Sequence, residues 1–108
     1  MKTLVRLRMK LDLLAAIEQL KTDGDNLSDT IRFIIKMEMD HYKPPDIDPR
    51  AYVPKARKPA KQISVRLPTY ILDRVVSLAN RYTVPVPTMI LRLLARHIWK
   101  NFVKMSGI

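Results

Sequence analysis

The sequence predicts a mainly α protein with one short two-stranded antiparallel ribbon: a strand and two helices occur twice and close on each other as an intramolecular pseudo-dimer. The first observation behind this is an internal repeat. At an offset of 58, Leu7-Arg8-Met9 lies on Val65-Arg66-Leu67, Leu13-Leu14 on Ile71-Leu72, Ile17 on Val75 and Leu20 on Leu78. Past a turn one residue longer in the second copy the offset becomes 59, and Leu27 meets Val86, Ile31 meets Ile90, Ile34-Ile35 meets Leu93-Leu94, and Met39 meets Ile98. Four of these pairs are identical and the others are apolar on apolar, which divides the chain into a first repeat (1–42), a connecting segment (43–61) and a second repeat (62–108). The second observation is that each repeat opens with period-two alternation and continues with apolar residues at helical spacing. The third is size. A repeat of about 42 residues buries too little surface to be stable alone, and an isolated two-stranded ribbon is marginal in water, so the two repeats must share a core.

Each element follows from local pattern. In QISVRLP, residues 62–68, Ile63, Val65 and Leu67 face one way and Gln62, Ser64 and Arg66 the other, before Pro68 stops the ladder. In the first repeat Val5, Leu7 and Met9 face inward and Leu4, Arg6 and Arg8 outward, Leu4 being the one apolar member of the outward set. Leu13, Leu14, Ile17 and Leu20 then fit one helical face, as do Ile71, Leu72, Val75, Leu78, Ala79 and Tyr82. Thr22-Asp23-Gly24-Asp25-Asn26 has turn chemistry, and Asn26 or Ser28 can cap a second helix that begins near Leu27. Its counterpart begins near Val86, with Pro87 in the first turn where a missing N–H costs little, and runs through Trp99 and Phe102. Along that last helix Trp99, Phe102 and Val103 are expected to pack inward, with Arg96, Lys100 and Lys104 on its solvent face. Between the repeats, five of the eight prolines mark a semi-rigid, basic linker. Its 19 residues reach about 59 Å at about 3.1 Å each, ample for the two repeats of one chain to pair.

Composition narrows the function. Against 20 Lys and Arg stand 10 Asp and Glu, a formal net charge of +10. By segment the balance is seven basic to seven acidic, then six to two, then seven to one. An excess of this size on a small chain points to a polyanion, most often nucleic acid. The absence of cysteine excludes disulfide scaffolds and thiolate metal sites. Two glycines cannot build a phosphate-cradling loop, and no nucleophile, base and orienting acid form a recognisable set, so neither catalysis nor a cofactor is expected. His41 and His97 are lone histidines on helices, without the neighbours a metal site needs. No run approaches the roughly 18 apolar residues of a membrane span. Lys2, Arg6 and Arg8 interrupt what would be a signal peptide's apolar stretch, so a cytoplasmic protein without membrane partners is expected.

The order strand, helix, helix, most clearly in residues 62 to 98, resembles the ribbon-helix-helix family, the superfamily of the Met and Arc repressors. The resemblance implies two intertwined units whose strands pair as an antiparallel ribbon that enters the DNA major groove. Carried over residue by residue, it places base contacts at Leu4, Arg6 and Arg8 and at Gln62, Ser64 and Arg66. The family's phosphate contacts, from backbone amides opening the second helix, fall on Asn26, Leu27 and Ser28 and on Val86 and Thr88. Pro85 and Pro87 offer no N–H there, and Asp23, Asp25 and Asp29 add negative charge at the first repeat's counterpart. From charge alone, the linker residues Lys55, Arg57, Lys58 and Lys61 read as backbone-neutralising arms.

The expected function is therefore sequence-specific binding of double-stranded DNA through a β-ribbon in the major groove, as a transcriptional repressor. In the free state a monomeric pseudo-dimer is expected, open to further association on DNA. The alternatives are an accessory DNA-binding protein of plasmid partition or conjugation, and an antitoxin-type protein-interaction module.

Overall fold

A computed structural model describes residues 2–21, 24, 26–41 and 60–105, with helical backbone alone at 41 and 99–105. The element order is β1 (Lys2–Lys10), α1 (Leu11–Gln19), α2 (Leu27–His41), β2 (Ala60–Pro68), α3 (Thr69–Tyr82) and α4 (Val86–Met105). The protein is thus mostly helical, four helices against one two-stranded antiparallel sheet in the described residues. Strand β2 begins at Ala60, two residues inside the segment expected as linker, because Lys10 pairs with Ala60 and Met9 with Lys61 and the ladder runs on.

The strands alternate as their sequences require. Val5, Leu7, Met9, Val65 and Leu67 are buried, and the even-numbered residues between them are exposed. Their inner face lies against α2 and α4, which also pack on each other, while α1 and α3 flank them. Helix α2 contacts β2 and α4 contacts β1, so the second helix after each strand lies on the other strand. Ile31, Ile34, Ile35, Ile90, Leu93 and Leu94 fill the centre, each at most 1% exposed. At about 1.5 to 3 kcal/mol per fully buried large aliphatic side chain, this central set is the main source of stability and holds the ribbon flat against the helices.

Helix ends are set by specific chemistry. The Asp29 N–H donates to Asn26 Oδ1 (2.8 Å) and the Asn26 N–H to Asp29 Oδ2 (3.4 Å), a reciprocal capping box, so Asn26 and not Ser28 caps α2. Pro85 takes the corresponding place for α4, its carbonyl accepting from the Met89 N–H (3.0 Å). Helix α3 ends with Thr83 in the left-handed region (φ 57°, ψ 48°). The Val84 N–H donates to the Ala79 carbonyl (3.0 Å) and the Thr83 N–H to that of Asn80 (3.2 Å), a Schellman closure. Val84 packs on the core next to it. Gly24, at φ 89°, takes positive φ in the α1–α2 turn without the steric cost a β-branched residue bears.

Among the described side chains one departs from expectation, while those of Trp99, Lys100, Phe102, Val103 and Lys104 lie outside the described residues. Arg96 is 2% exposed and faces α2, not solvent. Its Nε lies 3.6 Å from Glu38 Oε1, and His97 Nδ1 lies 3.5 Å from Glu38 Oε2. A buried guanidinium needs a buried counter-charge, and Glu38, 5% exposed, provides it. Nearby in sequence, Asp40 and the Met39 carbonyl accept from Arg74 of α3 at 2.9 and 2.6 Å, which sets a cation against the C-terminal end of α2.

Candidate nucleic-acid interface

Directly opposed residues of an antiparallel pair project from the same face. The register therefore builds five outward rungs: Lys2 with Pro68, Leu4 with Arg66, Arg6 with Ser64, Arg8 with Gln62, and Lys10 with Ala60. Leu4, Arg6, Arg8, Gln62, Ser64 and Arg66 are all exposed, so the six strand positions named from the sequence come together on one surface. That surface carries five cations, Lys2, Arg6, Arg8, Lys10 and Arg66, and no carboxylate; four of the five belong to β1. Lys2 and Lys10 were missed by the residue-by-residue comparison, although the same even-numbered alternation includes them.

Dimensions and chemistry suit a groove. From Leu4 to Arg8 the strand rises about 13 Å at about 3.3 Å per residue, the rise of about four base pairs at 3.4 Å each. Two strands about 4.8 Å apart fit a major groove about 12 Å wide, where arginine can pair with guanine O6 and N7 and glutamine with adenine N6 and N7. Leu4, 49% exposed, offers a surface for a thymine methyl. Cations gathered on one face repel one another, and a polyanion relieves that repulsion.

The helix starts are less alike. At α2 the capping box engages the Asn26 and Asp29 amides, which takes Asn26 out of the expected amide set and leaves Leu27 and Ser28 as the first-turn amides between them. Asp29 also forms an ion pair with Arg32, which offsets its negative charge beside this terminus. Arg32 Nη1 in turn donates to the Arg66 carbonyl (3.4 Å), linking the start of α2 to the middle rungs of the ribbon. At α4, with Pro85 capping and Pro87 inside the first turn, Val86 and Thr88 retain the amides that flank the proline. Lys61 is exposed but opposes Met9, on the other alternation from the outward rungs. Lys55, Arg57 and Lys58, like Asp23 and Asp25, lie outside the described residues.

Family models, curated proteins and solved structures give no match to this chain. Among the described residues no group of three or more His, Asp or Glu could hold a metal ion, and no helix is long and apolar enough to cross a membrane. Among the described residues, the outward face of the ribbon gathers four exposed cations, Lys2, Arg6, Arg8 and Arg66.

Proposed function

We propose that the protein binds double-stranded DNA sequence-specifically, inserting the outward face of the β1–β2 ribbon into the major groove, and acts as a transcriptional repressor in the cytoplasm. The observation that carries this is the set of five outward rungs, which combine cations, base-reading side chains and no carboxylate over a length of a few base pairs. The chain on this view is a tandem ribbon-helix-helix protein, a pseudo-dimer within one molecule. Supporting it, the β1–β2 register pairs each strand triad with the other about a central Arg6–Ser64 rung, residues that the repeat offset of 58 also makes equivalent. The matched Ile31 and Ile90 are both fully buried, and α2 and α4 each pack on the opposite strand. The ribbon reads bases. Amides of Leu27 and Ser28, and of Val86 and Thr88, hold flanking phosphates, as helix N-termini do, and Lys61 and the linker cations neutralise backbone charge.

The test is fluorescence anisotropy of labelled duplexes, from the DNA flanking the protein's own gene and from scrambled controls, across a salt series. Tighter binding to one duplex, with log Kd rising linearly in log salt by about 0.9 per phosphate neutralised, is the expected result. Equal affinity for all duplexes, or none, refutes sequence-specific binding.

A further inference from the structure

We propose that the DNA site is not a palindrome: it consists of two halves that share a guanine and differ at the neighbouring position, and one chain occupies it. This deepens the reading of the ribbon as a major-groove reader and rests on it. The ribbon pairs two unlike strands of one chain, β1 contributing Leu4, Arg6 and Arg8 and β2 contributing Gln62, Ser64 and Arg66. Exchange of the strands about the central rung superimposes Arg8 on Arg66, Leu4 on Gln62 and Arg6 on Ser64. One end of the ribbon therefore presents Arg66 beside Leu4, and the other Arg8 beside Gln62.

The consequences for the DNA follow from side-chain chemistry. Arginine at matched places in both halves selects guanine in both. Next to it, the Gln62 amide can pair bidentately with adenine, while Leu4 has no polar atom and can only contact an apolar group, the thymine methyl. A true palindrome would leave one of these side chains mismatched. At the centre, Arg6 faces Ser64, so the middle of the site is read strongly from one strand and weakly from the other. Such a site has a direction, and copies of it are read equally well as direct repeats.

Selection from a pool of randomised duplexes with the full chain, followed by stoichiometry on the selected site, tests this. The expected outcome is a consensus with unlike halves, bound by one chain. Duplexes that duplicate and invert the Leu4-side half should then bind about 5- to 150-fold more weakly than the selected site, the factor for one lost bidentate contact. Leu4→Gln together with Arg6→Ser, both on exposed side chains, makes the two triads identical and should turn the selected halves into inverted copies. A self-complementary wild-type consensus overturns the inference and leaves the DNA reading standing. Failure to enrich any duplex overturns the DNA reading itself, and this inference with it.

Discussion

Replacing Ile90 with alanine probes the shared core on which the ribbon depends. Ile90 is 0% exposed, and so is Ile31, its counterpart in the other second helix. The substitution removes three carbons, about 2.4 kcal/mol of transfer free energy at about 0.8 kcal/mol each. A cavity term is added, because a site enclosed by two helices and a sheet collapses poorly; the total of about 3 to 4 kcal/mol sits inside the range of about 2 to 5 found for such truncations. For a chain of this size about 4 °C is lost per kcal/mol, so the melting midpoint should fall by about 12 to 16 °C. Circular dichroism at 222 nm measures it. Phe33→Ala is the control: Phe33 is 61% exposed on the same class of helix and should change stability by no more than about 0.5 kcal/mol. If the two variants melt alike, the inward face is assigned wrongly and α2 and α4 do not share this core.

Other perturbations separate the remaining contacts. Glu38→Ala leaves the Arg96 guanidinium buried without its carboxylate and should cost about 3 to 5 kcal/mol in chemical denaturation, whereas replacing both residues by leucine should restore most of that; equal losses in the two variants contradict the pairing. Thr83→Gly relieves a β-branched residue held at φ 57° and should stabilise by about 1 kcal/mol, with a lower midpoint ruling out the left-handed cap. Arg66→Ala should weaken binding to the preferred duplex by about 1 to 3 kcal/mol and scrambled duplexes much less. Lys61→Ala should instead weaken all duplexes alike and make the salt slope shallower by about one, and a change of base preference on that substitution contradicts its place off the outward rungs.

The features legible in the sequence are those set by short periods. A period of two fixes which face each residue of β1 and β2 occupies, so Leu4, Arg6, Arg8, Gln62, Ser64 and Arg66 could be named outward from spacing alone. Alternation does not fix register, since every even shift keeps the same faces together; that Arg6 meets Ser64 emerges only when the strands are paired. Residue type alone does not choose between Asn26 and Ser28 as the cap of α2, because both types serve; the Asn26–Asp29 spacing closes a reciprocal bond that Ser28 lacks. The Glu38–Arg96–His97 cluster was hidden for a different reason. Its members lie on α2 and α4, about 59 positions apart, and a charged residue on a helix reads as solvated until the partner across the core is known. Arg32 escaped notice likewise, since its link to the Arg66 carbonyl crosses 34 positions.

Methylation interference on a bound duplex tests the groove contact most directly. Guanine N7 lies in the major groove and adenine N3 in the minor groove, so methyl groups at the two atoms block different faces of the same DNA. With the ribbon of β1 and β2 in the major groove, methylation of guanine N7 within the site should abolish binding, and methylation of adenine N3 within the same site should leave it intact. Loss of binding on adenine N3 methylation with tolerance of guanine N7 methylation would contradict the proposed contact and move the protein to the minor groove.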